Sequence, residues 1–91
     1  MSGPKKATRM AAALQYQKMR DFAPRLVAKG SHHQAEKIVE IAASHQIPVV
    51  VNKELIEILM QLDVNMEIPE IVFQTVAEIY TFIRYLEKQQ S

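Results

Sequence analysis

The chain of 91 residues has no cysteine, which removes a disulfide framework, a thiolate nucleophile and any zinc site built on thiolates. Glycine occurs only twice, at Gly3 and Gly30, so no glycine-rich loop is present to cradle a phosphate. No apolar run approaches the roughly 20 residues that span a bilayer, and the amino terminus has no apolar stretch of the signal-peptide kind. A reducing compartment is compatible with these absences. What remains is ordinary for a globular domain: 48% apolar and 23% charged residues. A chain of this length makes one domain that buries roughly 60–65% of its unfolded surface.

Charge is nearly balanced overall, at +1, but not along the chain. Residues 1–30 carry seven basic residues (Lys5, Lys6, Arg9, Lys18, Arg20, Arg25 and Lys29) against the single acid Asp21. Residues 31–91 carry four basic residues against nine acids. Two readings are open for the basic third: attraction to nucleic acid or an acidic protein surface, or a solvated face with no specific partner.

Local patterns define most elements. Residues 1–8 read as a flexible lead, 9–88 as the domain and 89–91 as a tail. Met10 to Leu14 favours helix on propensity alone. Gln17 to Ala23 reads as a loop, and Arg25 to Lys29 alternates as a short strand that Gly30 stops. Ser31 with Gln34 forms a capping box for a helix whose inner face is Ala35, Ile38, Val39 and Ala42, ending near His45-Gln46. Ile47 to Val51 is β-branched around Pro48, apolar on both sides, and reads as a buried strand. Asn52 caps a helix of about three turns carrying Leu55, Ile56, Leu59 and Leu62. Asp63 to Glu67 is a turn, and Pro69 suits the first position of the last helix. That helix has two stripes. Val72, Val76, Ile79, Ile83 and Leu86 form one; Phe73, Ala77 and Tyr80 form the other, which by periodicity alone fits core or binding groove.

Catalytic constellations are thin. His32 and His33 would project about 100° apart on a helix and His45 is distant, so no metal site is expected. Glu36, Glu40, Glu54 and Glu57 fit solvated helix faces better than acid–base pairs, and Ser31 is accounted for as a cap. No enzyme is indicated from these residues, and no cofactor.

Three segments in order carry more information: Ala23-Pro24-Arg25-Leu26-Val27-Ala28-Lys29-Gly30, Ile47-Pro48-Val49-Val50-Val51-Asn52, and Ile68-Pro69 running into Val76-Ala77-Glu78-Ile79. At these separations the chain resembles the cytoplasmic domain of the type III export switch family, flagellar FlhB and its virulence-system relatives YscU, SpaS and EscU. The resemblance covers roughly residues 7–88. It implies an α/β domain with a small mixed sheet of about three strands covered by about three helices, and it turns residues 9–17 into a core strand. Family members cleave themselves between Asn and Pro of an Asn-Pro-Thr-His motif, through a succinimide closed by the asparagine side chain. This chain reads Lys6-Ala7-Thr8-Arg9 there, and a lysine side chain cannot close that ring. Self-cleavage at this site is therefore not expected. The chain starts about where the released fragment would, as a stand-alone counterpart would.

The resemblance further implies a substrate-recognition patch. Carried over by motif, its positions are Ala23, Pro24, Ala77 and Tyr80, the last replacing an aliphatic residue, with Phe73 on the same stripe. The implied role is a non-catalytic component of a flagellar or type III export apparatus that binds hook-type, rod-type or filament-type subunits or gate components. The implied location is cytoplasmic, with recruitment to the inner-membrane apparatus and no membrane insertion. In the family the segment before the cleavage point adds a strand to the sheet. Its lack here leaves an edge beside residues 9–16 that is either open to a partner, such as the amino-terminal part of a full-length switch protein, or blunted by Lys5, Lys6 and Arg9. The competing function is nucleic-acid binding by the basic first third. Tyr16 and Phe22 are its only aromatics and no binding motif surrounds them.

Overall fold

The structure, a computed structural model, describes residues 9–90. Strand β1, Met10–Gln15, pairs antiparallel with β2, Arg25–Ser31. The alanine-rich run is thus a strand, as the resemblance implied: pairing and burial override its helical propensity. Ala13 faces Ala28 while Leu14 faces Leu26, so Val27 has no opposite residue and β2 bulges there. Gly30 does not stop β2. It is buried opposite Ala11, and a Cβ there would come within 2.6 Å of Gln34 Cβ, so glycine is what lets the following helix lie this close.

Helix α1, His33–Ser44, packs across both strands. The expected Ser31 capping box does not form. Ser31 is held in β2 opposite Met10, His32 takes the cap position with φ 53°, and no side chain caps the helix. Ala35 is buried and Ile38 and Ala42 are half-buried, as periodicity put them, but Val39, expected on the same inner face, is exposed, so the covered stripe is narrower than expected.

The chain then departs from expectation. Residues 47–51 are not a strand, and all five are exposed, Val51 at 94%. A strand needs a neighbour, and among the described residues the sheet contains only β1 and β2. The sheet is therefore two-stranded and antiparallel where a mixed, three-stranded one was expected; the small α/β class and the three helices stand.

Asn52 caps α2, Lys53–Leu59, by accepting the Leu55 N–H at 2.9 Å. This helix has two turns, not three, and Leu62 follows it. Lys29 Nζ closes its other end, donating to the carbonyls of Met60 (3.0 Å) and Leu62 (2.6 Å). Pro69 is extended and precedes a short 3₁₀ turn, Glu70–Val72, rather than opening the last helix itself. That turn leads into α3, Phe73–Gln90, which runs past residue 88.

Ala23, Leu55, Leu59, Ile68, Val72 and Val76 form the core, with Ala12 and Leu14 of β1 packed on it. Ala11, one residue out of phase with Ala12, faces Gly30 and α1 instead. The sheet thus lies between α1 on one face and the α2–α3 core on the other. The 65–68 segment covers the outer edge of β2: Leu26 N–H donates to Met66 O (2.8 Å), and the Asn65 and Ile68 N–H groups donate to Leu26 O (2.7 Å) and Pro24 O (2.9 Å). The outer edge of β1 has no strand beside it among the described residues.

Candidate functional site

The loop between the strands is built around one carboxylate. Asp21 is buried, in a loop whose neighbours Arg20 and Phe22 are exposed. It accepts from Arg20 Nε (2.8 Å) and Nη2 (3.1 Å), from the Gln17 N–H (3.0 Å) and from Arg25 Nη2 (3.0 Å). The Arg20 hydrogen bonds lead, with those from Gln17 and Arg25, in holding this carboxyl well below the usual carboxylate range against the opposing effect of burial. Arg25 also reaches Glu67 Oε2 (3.6 Å) and donates to Asn65 O (2.6 Å), and Glu67 accepts the Phe22 N–H at 3.4 Å. The loop is thereby tied at both ends and across to the 65–68 segment. This fixes Ala23 in the core and sets half-buried Pro24 at its edge.

Val72, at the end of the 3₁₀ turn, and Val76, on α3, face the core. Phe73, Ala77 and Tyr80 recur at i, i+4 and i+7 and share a face turned partly from it. Phe73 and Tyr80 are half-buried and Ala77 is exposed. Ala23, Pro24, Phe73, Ala77 and Tyr80, the five expected patch positions, line one groove of about 560 Å³. Burial pushes the Tyr80 phenol pKa up, so the ring stays neutral. The stripe that periodicity left between core and groove does both: Phe73 and Tyr80 pack against the core and, with Ala77, line the groove.

Sequence reasoning missed other lining residues, among them Tyr16, Phe22, Thr81 and Arg84. Two signals were available: Phe22 adjoins Ala23-Pro24, and Arg84 continues the Phe73–Ala77–Tyr80 stripe by one more turn. Of the degenerate cleavage positions, Lys6, Ala7 and Thr8 lie outside the described residues. Arg9 is described; its carbonyl accepts the His32 N–H at 3.0 Å and its guanidinium lies 3.7 Å from Glu36. His32, His33 and His45 do not converge, and among the described residues no three His, Asp or Glu side chains are placed to hold a metal ion. Among the same residues no helix is long and apolar enough to cross a membrane.

A two-stranded sheet between one helix and a two-helix core is an arrangement that superposes on solved C-terminal domains of the PscU and EscU proteins. The solved PscU C-terminal domain superposes with a TM-score of 0.77 at 25% identity, covering 84% of this chain and 98% of that one. An EscU C-terminal domain gives 0.77 at 24% identity, covering 82% and 92%, a likeness of fold. The chain belongs to the FlhB HrpN YscU SpaS family, whose sequence model matches residues 6–83. It is 39% identical over 80 residues to the uncharacterized protein YlqH of Bacillus subtilis (strain 168), covering 88% of this chain and 86% of that protein. It is 41% identical over 83 residues to the flagellar biosynthetic protein FlhB of Aquifex aeolicus (strain VF5). The match takes in 90% of this chain and 24% of that protein, so the chain spans about a quarter of FlhB.

Proposed function

We propose that this chain is a non-catalytic docking component of a flagellar or type III export apparatus, the counterpart of the cleaved carboxy-terminal fragment of the switch protein. It holds a short apolar peptide of an export substrate in the Ala23–Pro24–Phe73–Ala77–Tyr80 groove. One observation carries this: the four positions carried over by motif, Ala23, Pro24, Ala77 and Tyr80, line a single groove together with Phe73 of the same stripe, although they come from two ends of the domain. Its volume, about 560 Å³, suits a few apolar side chains. Lys6-Ala7-Thr8-Arg9 supports the non-cleaving part of the reading, since no side chain there can close a succinimide. The open edge of β1 supports a second contact, with an extended segment such as the amino-terminal part of a full-length switch protein. Such contacts would bring the chain to the inner-membrane apparatus from the cytoplasm.

Complementation tests the reading. The chain is expressed in a flagellated bacterium whose switch protein is truncated just after its Asn, and secreted hook and filament subunits are measured. Restored secretion that Ala77→Trp abolishes is the expected result, with circular dichroism showing that the variant folds. Ala77 is exposed, so the larger side chain fills the groove and leaves the core alone. Secretion equally restored by Ala77→Trp would overturn the groove as the working surface.

A further inference from the structure

The groove has one charged wall residue. Arg84 lies four residues, about one turn or ~6 Å, beyond Tyr80 and seven residues, about two turns, beyond Ala77 on the same face of α3. The other three arginines are committed: Arg9 to Glu36, Arg20 to Asp21, and Arg25 to Asp21 and Glu67. Arg84 has no ion pair or hydrogen bond among the described residues. No acid lines the groove, and Glu87, one turn on, already has a partner. An unpaired guanidinium at the end of an apolar channel is a recognition element. Its planar fork matches a carboxylate with two parallel hydrogen bonds, and the apolar wall beside it weakens competition from water.

We infer that Arg84 makes the groove selective for peptides bearing a carboxylate next to their apolar anchor. The anchor side chain sits against Phe73, Ala77 and Tyr80, and an Asp or Glu meets Arg84. The ~6 Å offset sets the spacing: the acid stands two residues from the anchor in an extended peptide, at roughly 3.3 Å per residue, or four residues away in a helical one. The inference rests on the groove being a substrate-peptide site, and it adds the chemical class of peptide taken.

The test uses the full chain on an array of overlapping peptides covering rod, hook and filament subunits, with a duplicate array in which every Asp and Glu is replaced by Asn and Gln. Captured peptides are expected to carry an apolar anchor and an acid at the stated spacing, and amide replacement should weaken them about tenfold, as for the loss of one charge-assisted pair. Arg84→Gln should bind native and amide peptides alike, and Arg84→Glu should prefer versions with Lys in place of the acid. Arg84 is exposed, so unchanged thermal melts are the control for folding. If Arg84→Gln keeps the native preference while Ala77→Trp loses capture, the role of Arg84 is overturned and the groove stands. If Ala77→Trp captures the same peptides as the native chain, or the native chain captures none, the groove reading falls and this inference with it.

Discussion

Asp21 is the residue on which the shape of the site depends most. It gathers two guanidiniums and a main-chain N–H, and through Arg25 and Glu67 it links the Phe22–Pro24 wall to the segment under β2. Its folded-state pKa lies below the unfolded value of roughly 3.9. The stability it contributes is therefore present above that value and lost as pH falls below it towards the folded pKa. Asp21→Asn should melt below the native chain at neutral pH, and the gap should narrow, without closing, as both are titrated from about pH 4 to about pH 2.5. A gap that stays constant across that range would show that the carboxylate charge is not what holds the loop. Arg20 is half-exposed, so its share is screened by solvent. Residue-scale features of this kind divide in how legible they were. The Asn52 cap was readable because cap and helix are adjacent in sequence, whereas the Ser31 cap failed because Met10, far away in sequence, claims Ser31 for the sheet.

At the scale of elements the open side of β1 is the feature with consequences. β2 is flanked by the 65–68 segment on its other side, but among the described residues β1 has β2 alone. In an antiparallel strand alternate residues point their N–H groups to opposite edges. In the isolated chain, alternate amides of Ala11 to Leu14 should exchange with solvent fast and their neighbours slowly, read by hydrogen exchange with residue resolution. A partner that adds a strand should slow the fast set; uniform protection in the isolated chain would mean the edge is already covered. The same reasoning explains Ile47 to Val51. Its β-branched composition was legible as strand-forming, but composition cannot supply a neighbour, and this chain provides none among its described residues. The helices needed no such neighbour for their hydrogen bonds, which is why α1, α2 and α3 were readable to within a turn or so. The groove wall on α3 was readable as a stripe; that none of the described residues covers it was not.

For the molecule as a whole, four of the seven basic residues of the first third are held in structural contacts: Arg20 and Arg25 converge on Asp21, Arg9 pairs with Glu36, and Lys29 closes α2. Lys5 and Lys6 lie outside the described residues. The four engaged cations are not arrayed along one face for a phosphate backbone. Binding to duplex DNA at about 0.15 M salt should be negligible, and any binding at low salt should have a shallow dependence of log K on log salt. A steep slope, several ions released per complex, would revive the nucleic-acid reading that the sequence left open. The fold itself was legible only through the order and spacing of three segments, since residues 10–14 argued locally for helix and only a match at the level of the domain argued for strand. The exposed Ile47–Val51 run has a last consequence, for how such a chain survives alone. An exposed, β-branched, uncharged stretch favours self-association into fibrils, and a β1 edge with no strand beside it among the described residues adds a second template. Pro48 interrupts the first, lacking one of the donors that stacking requires. A partner that covered both backbones would therefore also suppress self-association of the chain.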